Sequence, residues 1–212
     1  CQKWMRNFDR LPDAFVVEGP KAGGHLGFDA ENLEKPEFSL EALISEVIEA
    51  VSAFCERGKE LIPIIPAGGI YTGSDIRKFL SLGASAVQMA TRFVTTHECD
   101  ADKGFKDTYI DAKEEDIVII KSPVGMPGRA INNQFLEEVK EGKKQPFQCP
   151  YQCIKSCFMK NSPYCIARAL KNAKLGRFHY GFAFAGTNAY LAKKIISVKE
   201  LFETLRKEFH EA

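Results

Sequence analysis

The stretch that decides the fold is LIPIIPAGGIYTGSDIRKFLSLGASAVQM, residues 61–89. Its two apolar runs, 61–65 and 86–89, each predict a buried strand. Between them the spacing predicts a helix with a candidate N-cap, an apolar face and a glycine stop: Ser74, then Ile76, Phe79 and Leu80, then Gly83. A strand, a helix and a second strand in this order predict a parallel βαβ unit.

The same alternation extends toward the N-terminus. Residues 14–17, AFVV, predict another buried strand, and a glycine-rich loop follows it. A helix is then predicted between the candidate N-cap Ser39 and Gly58, with one apolar face: Leu40, Leu43, Ile44, Val47, Ile48, Val51 and Phe54. Continuous apolar strands of this kind are typical of parallel sheets covered on both faces. A (β/α)8 barrel and an open doubly wound sheet both fit the pattern.

Past the third strand the alternation stops. Residues 117–120, IVII, predict a further strand, and a loop is predicted over 122–129. A helix is predicted with Ser162 as its cap, Pro163 at its first position and Gly176 at its end.

The last predicted helix has a capping box formed by Ser197 and Glu200. We therefore expect βα units of a barrel in residues 1–98 and an excursion or lid with a cysteine-rich helical segment in 99–190. Residues 191–212 are expected to form a terminal helix that packs back on the barrel. The predicted fold class is α/β, with about three βα units followed by a mostly helical extension.

Composition excludes several classes of protein. The chain has 29 Lys and Arg against 28 Asp and Glu, and a net charge of +1 argues against a nucleic-acid-binding surface. It has no uncharged apolar run long enough to span a bilayer and no signal core at its N-terminus, so we expect a cytoplasmic protein. The sequence begins with Cys rather than Met and soon reaches a glycine-rich loop, so we expect that it enters a fold in the middle.

Two short motifs suit phosphate binding. Gly68 and Gly69 follow one predicted strand, and Ala90 and Thr91 follow the next. In a barrel such loops are neighbours, and their N–H groups could hold a phosphate together with a helix N-terminus. Glycine admits a ligand close to the backbone, although a single glycine pair is also what an ordinary turn requires.

His25 is the candidate catalytic residue. It follows Gly23 and Gly24 after a predicted strand, where a βα barrel places its chemistry. A histidine there can act near neutral pH as a general base or as a hydrogen-bond donor. The other three histidines, His97, His179 and His210, are interpreted as surface residues without a role.

Three blocks of sequence resemble the nitronate monooxygenases in order and spacing: VVEGPKAGGHLGF (16–28), PIIPAGGI (63–70) and AVQMATRFV (86–94). The flavin-dependent enoyl-acyl-carrier-protein reductases are similar in the same blocks. Two later blocks, SPVGMPGRAINN (122–133) and FAFAGTNAYLAKKIISVKEL (182–201), resemble the C-terminal region of a bacterial subgroup of the family.

The resemblance implies the C-terminal part of a (β/α)8 barrel that binds FMN at the carboxyl ends of its strands. It implies that four residues hold the FMN phosphate: Gly68, Gly69, Ala90 and Thr91. It places Gly23, Gly24 and Gln88 near the cofactor, and it gives His25 the work on a nitronate or nitroalkane substrate, with oxygen as the acceptor. Many members of the family have glycine where this chain has Ala90, and a methyl group is tolerable there only if the backbone keeps a negative φ.

The cysteine-rich segment allows three interpretations. Cys149, Cys153 and Cys157 are spaced so that a helix would place them on one face, and Cys165 follows eight residues later. The four thiolates could bind zinc or an iron–sulfur cluster, although the spacing is not the common one for either. Buried free thiols and a redox disulfide are the alternatives.

The sequence also leaves alternatives for the function of the protein. An NAD(P)H-dependent enoyl-thioester or quinone reductase could use the same scaffold, and a metal-binding or interaction module could be built on the cysteines. Association with a second copy is left open. Since the family's earlier strands have no counterpart here, we expect these 212 residues alone to bind FMN poorly and to be inactive.

Overall fold

A computed structural model describes residues 1–55, 61–143, 147–149, 151, 153, 155, 157 and 161–212. In chain order its elements are α1 (Gln2–Phe8), β1 (Phe15–Glu18), β2 (Gly24–His25), α2 (Leu40–Cys55), β3 (Ile64–Ala67), α3 (Gly73–Ser81), α4 (Thr91–Val94), α5 (Lys103–Asp111), β4 (Ile117–Lys121), β5 (Pro127–Ile131), α6 (Gln134–Lys140), α7 (Ile166–Lys174) and α8 (Val198–Glu211). They form two compact units. The first contains Cys1–Pro20, Glu31–Met89 and Phe202–Ala212, and the second contains Lys21–Ala30 and Ala90–Leu201.

The first unit is built on parallel strands. β1 and β3 pair in parallel, with Phe15 opposite Ile64 and Glu18 opposite Ala67. The predicted strand over 61–65 therefore begins later than expected, since Leu61 is 82% exposed. The strand predicted over 86–89 is reduced to a single parallel bridge between Ala67 and Gln88. Pro66 of β3 has no N–H to donate to this run, so the ladder between them is incomplete.

Helix α2 covers these strands with the apolar face that the spacing predicted. Ile44 is fully buried, and the Ser39 hydroxyl accepts a hydrogen bond of 3.3 Å from the Ala42 N–H, as expected of an N-cap. The predicted glycine stop, Gly58, lies outside the described residues. The core of the unit consists of apolar side chains from the helices and strands: Leu40, Ile44, Val51, Ile62, Ile64, Ile70, Phe79 and Ala84.

The start of α3 differs from the prediction. Thr72, not Ser74, is the N-cap: its hydroxyl accepts from the Asp75 N–H at 3.1 Å, and the Asp75 carboxylate accepts from the Thr72 N–H at 2.8 Å. This reciprocal pair is a capping box. Ser74 is exposed, and its hydroxyl donates instead to the carbonyl oxygen of Glu208.

The C-terminal residues of α8 pack in the first unit. The Glu208 carboxylate accepts a 2.8 Å hydrogen bond from the Gly73 N–H at the start of α3, and Leu205 is buried. The predicted N-terminal cap of this helix is confirmed, since the Ser197 hydroxyl accepts from the Glu200 N–H at 3.1 Å.

The second unit contains an antiparallel sheet with strand order β2–β5–β4. β4 is the strand predicted over 117–120, and it pairs with β5 from Ile117 opposite Ile131 to Lys121 opposite Pro127. The loop predicted over 122–129 is therefore wrong in its second half. Only 122–126 turn, with Gly125 at a φ of 88°, before the chain returns as β5.

Helix α7 also begins later than predicted. Its N-cap is Cys165, so Ser162 and Pro163 precede the helix, whereas Gly176 follows its end at a φ of 72°, as expected of a helix stop. Aromatic residues dominate the core beside it: Phe135, Tyr164 and Phe182 lie with ring centroids 5.2 to 6.0 Å apart. None of the helices in the described parts of the chain is long and apolar enough to cross a membrane.

Candidate functional site

Gly68 and Gly69 lie directly after β3, in the first unit. Their φ angles are 91° and 85°, a backbone conformation that residues other than glycine rarely adopt. Two consecutive residues of this kind form a turn whose backbone carries no Cβ toward an approaching ligand. The structure therefore gives a conformational reason for both glycines. Their predicted contact with a phosphate stays a prediction.

Gln88, the next predicted cofactor residue, lies in the same unit. Its N–H donates to the carbonyl oxygen of Pro66 at 2.9 Å, which holds it beside β3, and its side chain is exposed.

Ala90 and Thr91 belong to the second unit. Ala90 has a φ of −129°, so the condition for tolerating its methyl group is met. Thr91 begins the single-turn helix α4, and its hydroxyl accepts a hydrogen bond of 3.2 Å from the Gly186 N–H. The Thr91 side chain therefore fixes the segment that follows Ala185, and a role for it at a phosphate stays a prediction.

His25 is presented by a short strand rather than by a free loop. Gly24 and His25 form β2 and pair antiparallel with Arg129 and Gly128 of β5. The buried Arg129 guanidinium donates a 2.7 Å hydrogen bond to the carbonyl oxygen of Ala22. The histidine is thus held on a paired backbone.

The two glycines before His25 serve different purposes. Gly23 packs so closely on the backbone of Ala185 and Gly186 that a Cβ would collide with it. Gly24 has a φ of 87° and open space around the position of a Cβ, so its backbone conformation is what requires glycine there. Both requirements are met within the second unit, and a contact of these glycines with a cofactor stays a prediction.

The imidazole of His25 has one hydrogen-bond partner in the described residues. Its Nε2 lies 2.7 Å from the hydroxyl oxygen of Ser122, which is 3% exposed and follows β4. The edge of the ring packs on Phe184, with ring centroids 4.9 Å apart at 65°. No hydrogen bond to Nδ1 comes from the described part of the chain.

A buried tyrosine, Tyr109, fixes the residue that packs against His25. The Tyr109 hydroxyl donates to the carbonyl oxygen of Phe184, which fixes the residue whose ring contacts His25. Burial raises the pKa of Tyr109 well above its usual range, so the phenol stays protonated and remains a donor. Partial burial lowers the pKa of His25 below its ordinary value, which favours the neutral imidazole at pH 7.

The cysteine segment does not form the predicted helix in the residues that the structure describes. Cys149, Cys153 and Cys157 lie in irregular backbone, so the periodicity that would align them on one face is absent. These three and Cys165 are free thiols. Among the described residues no group of three or more His, Cys, Asp or Glu side chains could hold a metal ion, which leaves the zinc and iron–sulfur predictions without support.

Three residues that contribute to the site were not selected from the sequence: Ser122, Arg129 and Phe184. Ser122 and Arg129 lie inside the quoted block 122–133, and Arg129 is a charged residue between the small residues Gly128 and Ala130. If a polar side chain in such a setting is buried, it requires a hydrogen-bond partner. This requirement could have marked these residues as candidates for the site. Phe184 carried no comparable signal, since an aromatic residue in an apolar run is ordinary.

Comparison with known proteins identifies the family. Residues 1–208 match the family described as nitronate monooxygenase. A probable nitronate monooxygenase of Staphylococcus aureus (strain Newman) is 37% identical over 130 residues, which cover 61% of this chain and 34% of that protein. The matched region thus spans about a third of the length of this curated relative.

Solved structures extend the likeness to 94% of the chain. FabK from Thermotoga maritima has a TM-score of 0.69 and 29% identity, with 55% of its own chain covered. A nitroalkane oxidase from Streptomyces ansochromogenes has a TM-score of 0.67 and 27% identity, with 52% covered. These likenesses confirm the predicted fold class, a partial (β/α)8 barrel. The match over nearly its whole length shows that this chain belongs to the nitronate monooxygenase family.

Proposed function

We propose that the protein is an FMN-dependent oxidoreductase that oxidises nitronates or nitroalkanes with molecular oxygen. The observation that carries this proposal is the placement of His25. One ring nitrogen is held by Ser122, and no hydrogen bond from the described residues occupies the other. A histidine with one free nitrogen can donate a hydrogen bond to an anionic nitro group or accept a proton from the adjacent carbon.

The residues present fit an FMN group. The turn at Gly68 and Gly69 has the positive φ angles that let a phosphate oxygen approach the backbone without meeting a Cβ. When bound, FMN would accept an electron from the nitronate and pass it to dioxygen, so the nitronate is oxidised and oxygen is reduced. The protein's own contribution is to bind and orient the substrate through His25.

The comparison with solved structures also supports a second enzymatic function. The likeness to FabK, at a TM-score of 0.69, is about as high as the likeness to the nitroalkane oxidase, at 0.67. An NAD(P)H-dependent enoyl-thioester or quinone reductase on the same scaffold is therefore the competing proposal, since fold alone does not decide the reaction.

Anaerobic absorption spectroscopy separates the two functions when it is done on a purified protein that joins these residues to the earlier barrel strands of the family. The flavin band should bleach on addition of propionate-3-nitronate and should be insensitive to NADH. Bleaching of the flavin band by NADH alone would indicate a reductase instead. If this longer protein is folded and has been incubated with FMN, yet retains no flavin, both proposals are contradicted.

A further inference from the structure

We propose that Ser122 is a positioning residue that holds neutral His25 as the tautomer protonated on Nδ1, so that His25 presents an N–H donor, and not a base, to the substrate. The substrate in this inference, a nitronate, is taken from the proposed function. Its structural basis is the hydrogen-bond pattern around the Ser122 hydroxyl, which is independent of any bound ligand.

The Ser122 hydroxyl has one proton to donate and two lone pairs that can accept. One lone pair accepts from the Val124 N–H at 3.4 Å, inside the turn that joins β4 to β5. Among the described residues the only acceptor within reach of the hydroxyl proton is His25 Nε2, at 2.7 Å. Ser122 is 3% exposed, so its hydroxyl has little contact with bulk water.

This pattern determines the position of the proton on the imidazole. A hydroxyl that donates to Nε2 requires a lone pair there, so the neutral ring carries its hydrogen on Nδ1. If Nε2 carried the hydrogen instead, the hydroxyl would have to accept from it, and the buried Ser122 proton would lose its acceptor in the described structure. An unsatisfied buried donor of this kind is costly.

The turn makes the Ser122 position rigid. The Ser122 N–H donates to the Met126 carbonyl oxygen at 3.1 Å, and the Ser122 carbonyl accepts from the Gly125 N–H at 3.0 Å. β5 then pairs directly with β2, which carries His25. The donor therefore lies in the turn that leads into β5, and the imidazole lies on β2, the strand with which β5 pairs.

The consequence concerns which form of substrate the site accepts. An N–H at Nδ1 matches a nitronate oxygen, which already carries negative charge, whereas removal of a proton from a neutral nitroalkane requires an unprotonated nitrogen facing its carbon. Loss of the Ser122 hydroxyl frees Nε2 to take the hydrogen and leaves a lone pair on Nδ1. Ser122 should therefore favour the nitronate over the parent nitroalkane.

The direct test is ¹⁵N NMR of the folded chain labelled at histidine, with the His25 signals assigned by their loss in His25→Gln. In the wild type at pH 8 the pyridine-type nitrogen should be Nε2, and in Ser122→Ala that signal should move toward Nδ1. Ser162→Ala is the matched control, because Ser162 lines the same cavity of about 280 Å³ as Ser122 but its hydroxyl pairs with the Cys157 thiol. Ser122→Cys keeps a weak donor of similar size, so an intermediate shift is expected even if the alanine variant folds poorly.

A kinetic comparison completes the test, and it uses the longer protein that also carries the earlier barrel strands. The ratio of kcat/KM for ethylnitronate to that for nitroethane should fall roughly tenfold in Ser122→Ala, which corresponds to about 1.4 kcal/mol. A wild-type spectrum with the pyridine-type nitrogen at Nδ1, or spectra unchanged in both Ser122 variants, would overturn the inference. The NMR spectra require neither flavin nor turnover. An enzyme that fails to oxidise ethylnitronate would therefore overturn the proposed function, and the tautomer assignment would still stand on the spectra.

Discussion

The guanidinium of Arg129 donates a 2.7 Å hydrogen bond to the main-chain carbonyl of Ala22, three residues before His25. The backbone of Arg129 also lies opposite Gly24 in the sheet, so a single residue of β5 holds the segment that carries the candidate catalytic histidine at two points. Arg129 is 6% exposed and Ala22 is 5% exposed. The arginine therefore acts on the site through its position in the fold, at a distance from the reacting atoms.

Replacing Arg129 with Met should destabilise the protein and misplace His25. The substitution keeps an apolar stem but removes the donor, so the buried Ala22 carbonyl loses its partner, and we expect a loss of roughly 2 to 3 kcal/mol in the free energy of unfolding. Urea denaturation measures the loss, and Arg206→Met on the exposed face of α8 is the control. Equal effects of the two substitutions would show that the bond to Ala22 contributes nothing.

Replacing Gly69 with Ala should destabilise the turn after β3. At a φ of 85° an alanine Cβ approaches its own carbonyl oxygen, which costs about 1 to 2 kcal/mol. Gly27→Ala is the matched control, because Gly27 has no atom within 4 Å of a Cβ and no left-handed backbone. Chemical denaturation should separate the two variants by at least half of that cost. If Gly69→Ala is as stable as Gly27→Ala, the proposed reason for the glycine pair fails.

The N-cap of α3 gives a direct comparison of two candidate residues. Thr72→Ala should lower the free energy of unfolding by about 1 kcal/mol because it breaks the capping box with Asp75. Ser74→Ala should have a smaller effect, since the Ser74 hydroxyl makes only a long hydrogen bond to Glu208. A larger loss in Ser74→Ala, measured by thermal or urea unfolding, would reverse the assignment.

Thr72 and Ser74 also show how far the sequence alone can predict the start of a helix. Both Thr72 and Ser74 are good N-cap types, and the deciding signal was the acid three residues after Thr72, which makes the capping box. Long apolar patterns were reliable: α2, β1 and β4 appear where periodicity placed them, because burial of a continuous face determines those elements.

β5 could not be found by the same reasoning. Its sequence, PGRAI, has one β-branched residue and begins with Pro127 and Gly128, which local propensity assigns to a turn. Its strand conformation comes from pairing on both sides with β4 and β2, which is tertiary information. The candidate site likewise contains residues that local sequence predicts and residues that only tertiary contacts bring together. His25 and the glycines were predicted as site residues from motifs, whereas the contact of Ser122 with His25 joins residues 97 positions apart in the chain.

The stability of the protein should depend on pH through His25. Partial burial lowers the pKa of the folded-state imidazole below the ordinary value of 6.5. The unfolded chain therefore binds a proton before the folded chain does, so this contribution to stability is fully present above pH 6.5 and is lost as the pH falls toward the lowered folded-state pKa. The wild type should accordingly lose more stability than His25→Gln between pH 8 and about pH 5.

Urea midpoints measured at several pH values in that range check this expectation. His179→Gln is the control, because His179 is exposed and lies in a short helical turn away from the paired strands. On acidification, the difference in stability between wild type and His25→Gln should shrink by more than the difference between wild type and His179→Gln. A difference for His25→Gln that grows at low pH would mean that the folded state stabilises the imidazolium. Burial of His25 would then be outweighed by an interaction that favours the charged ring, and the neutral donor proposed for the substrate would have no basis at pH 7.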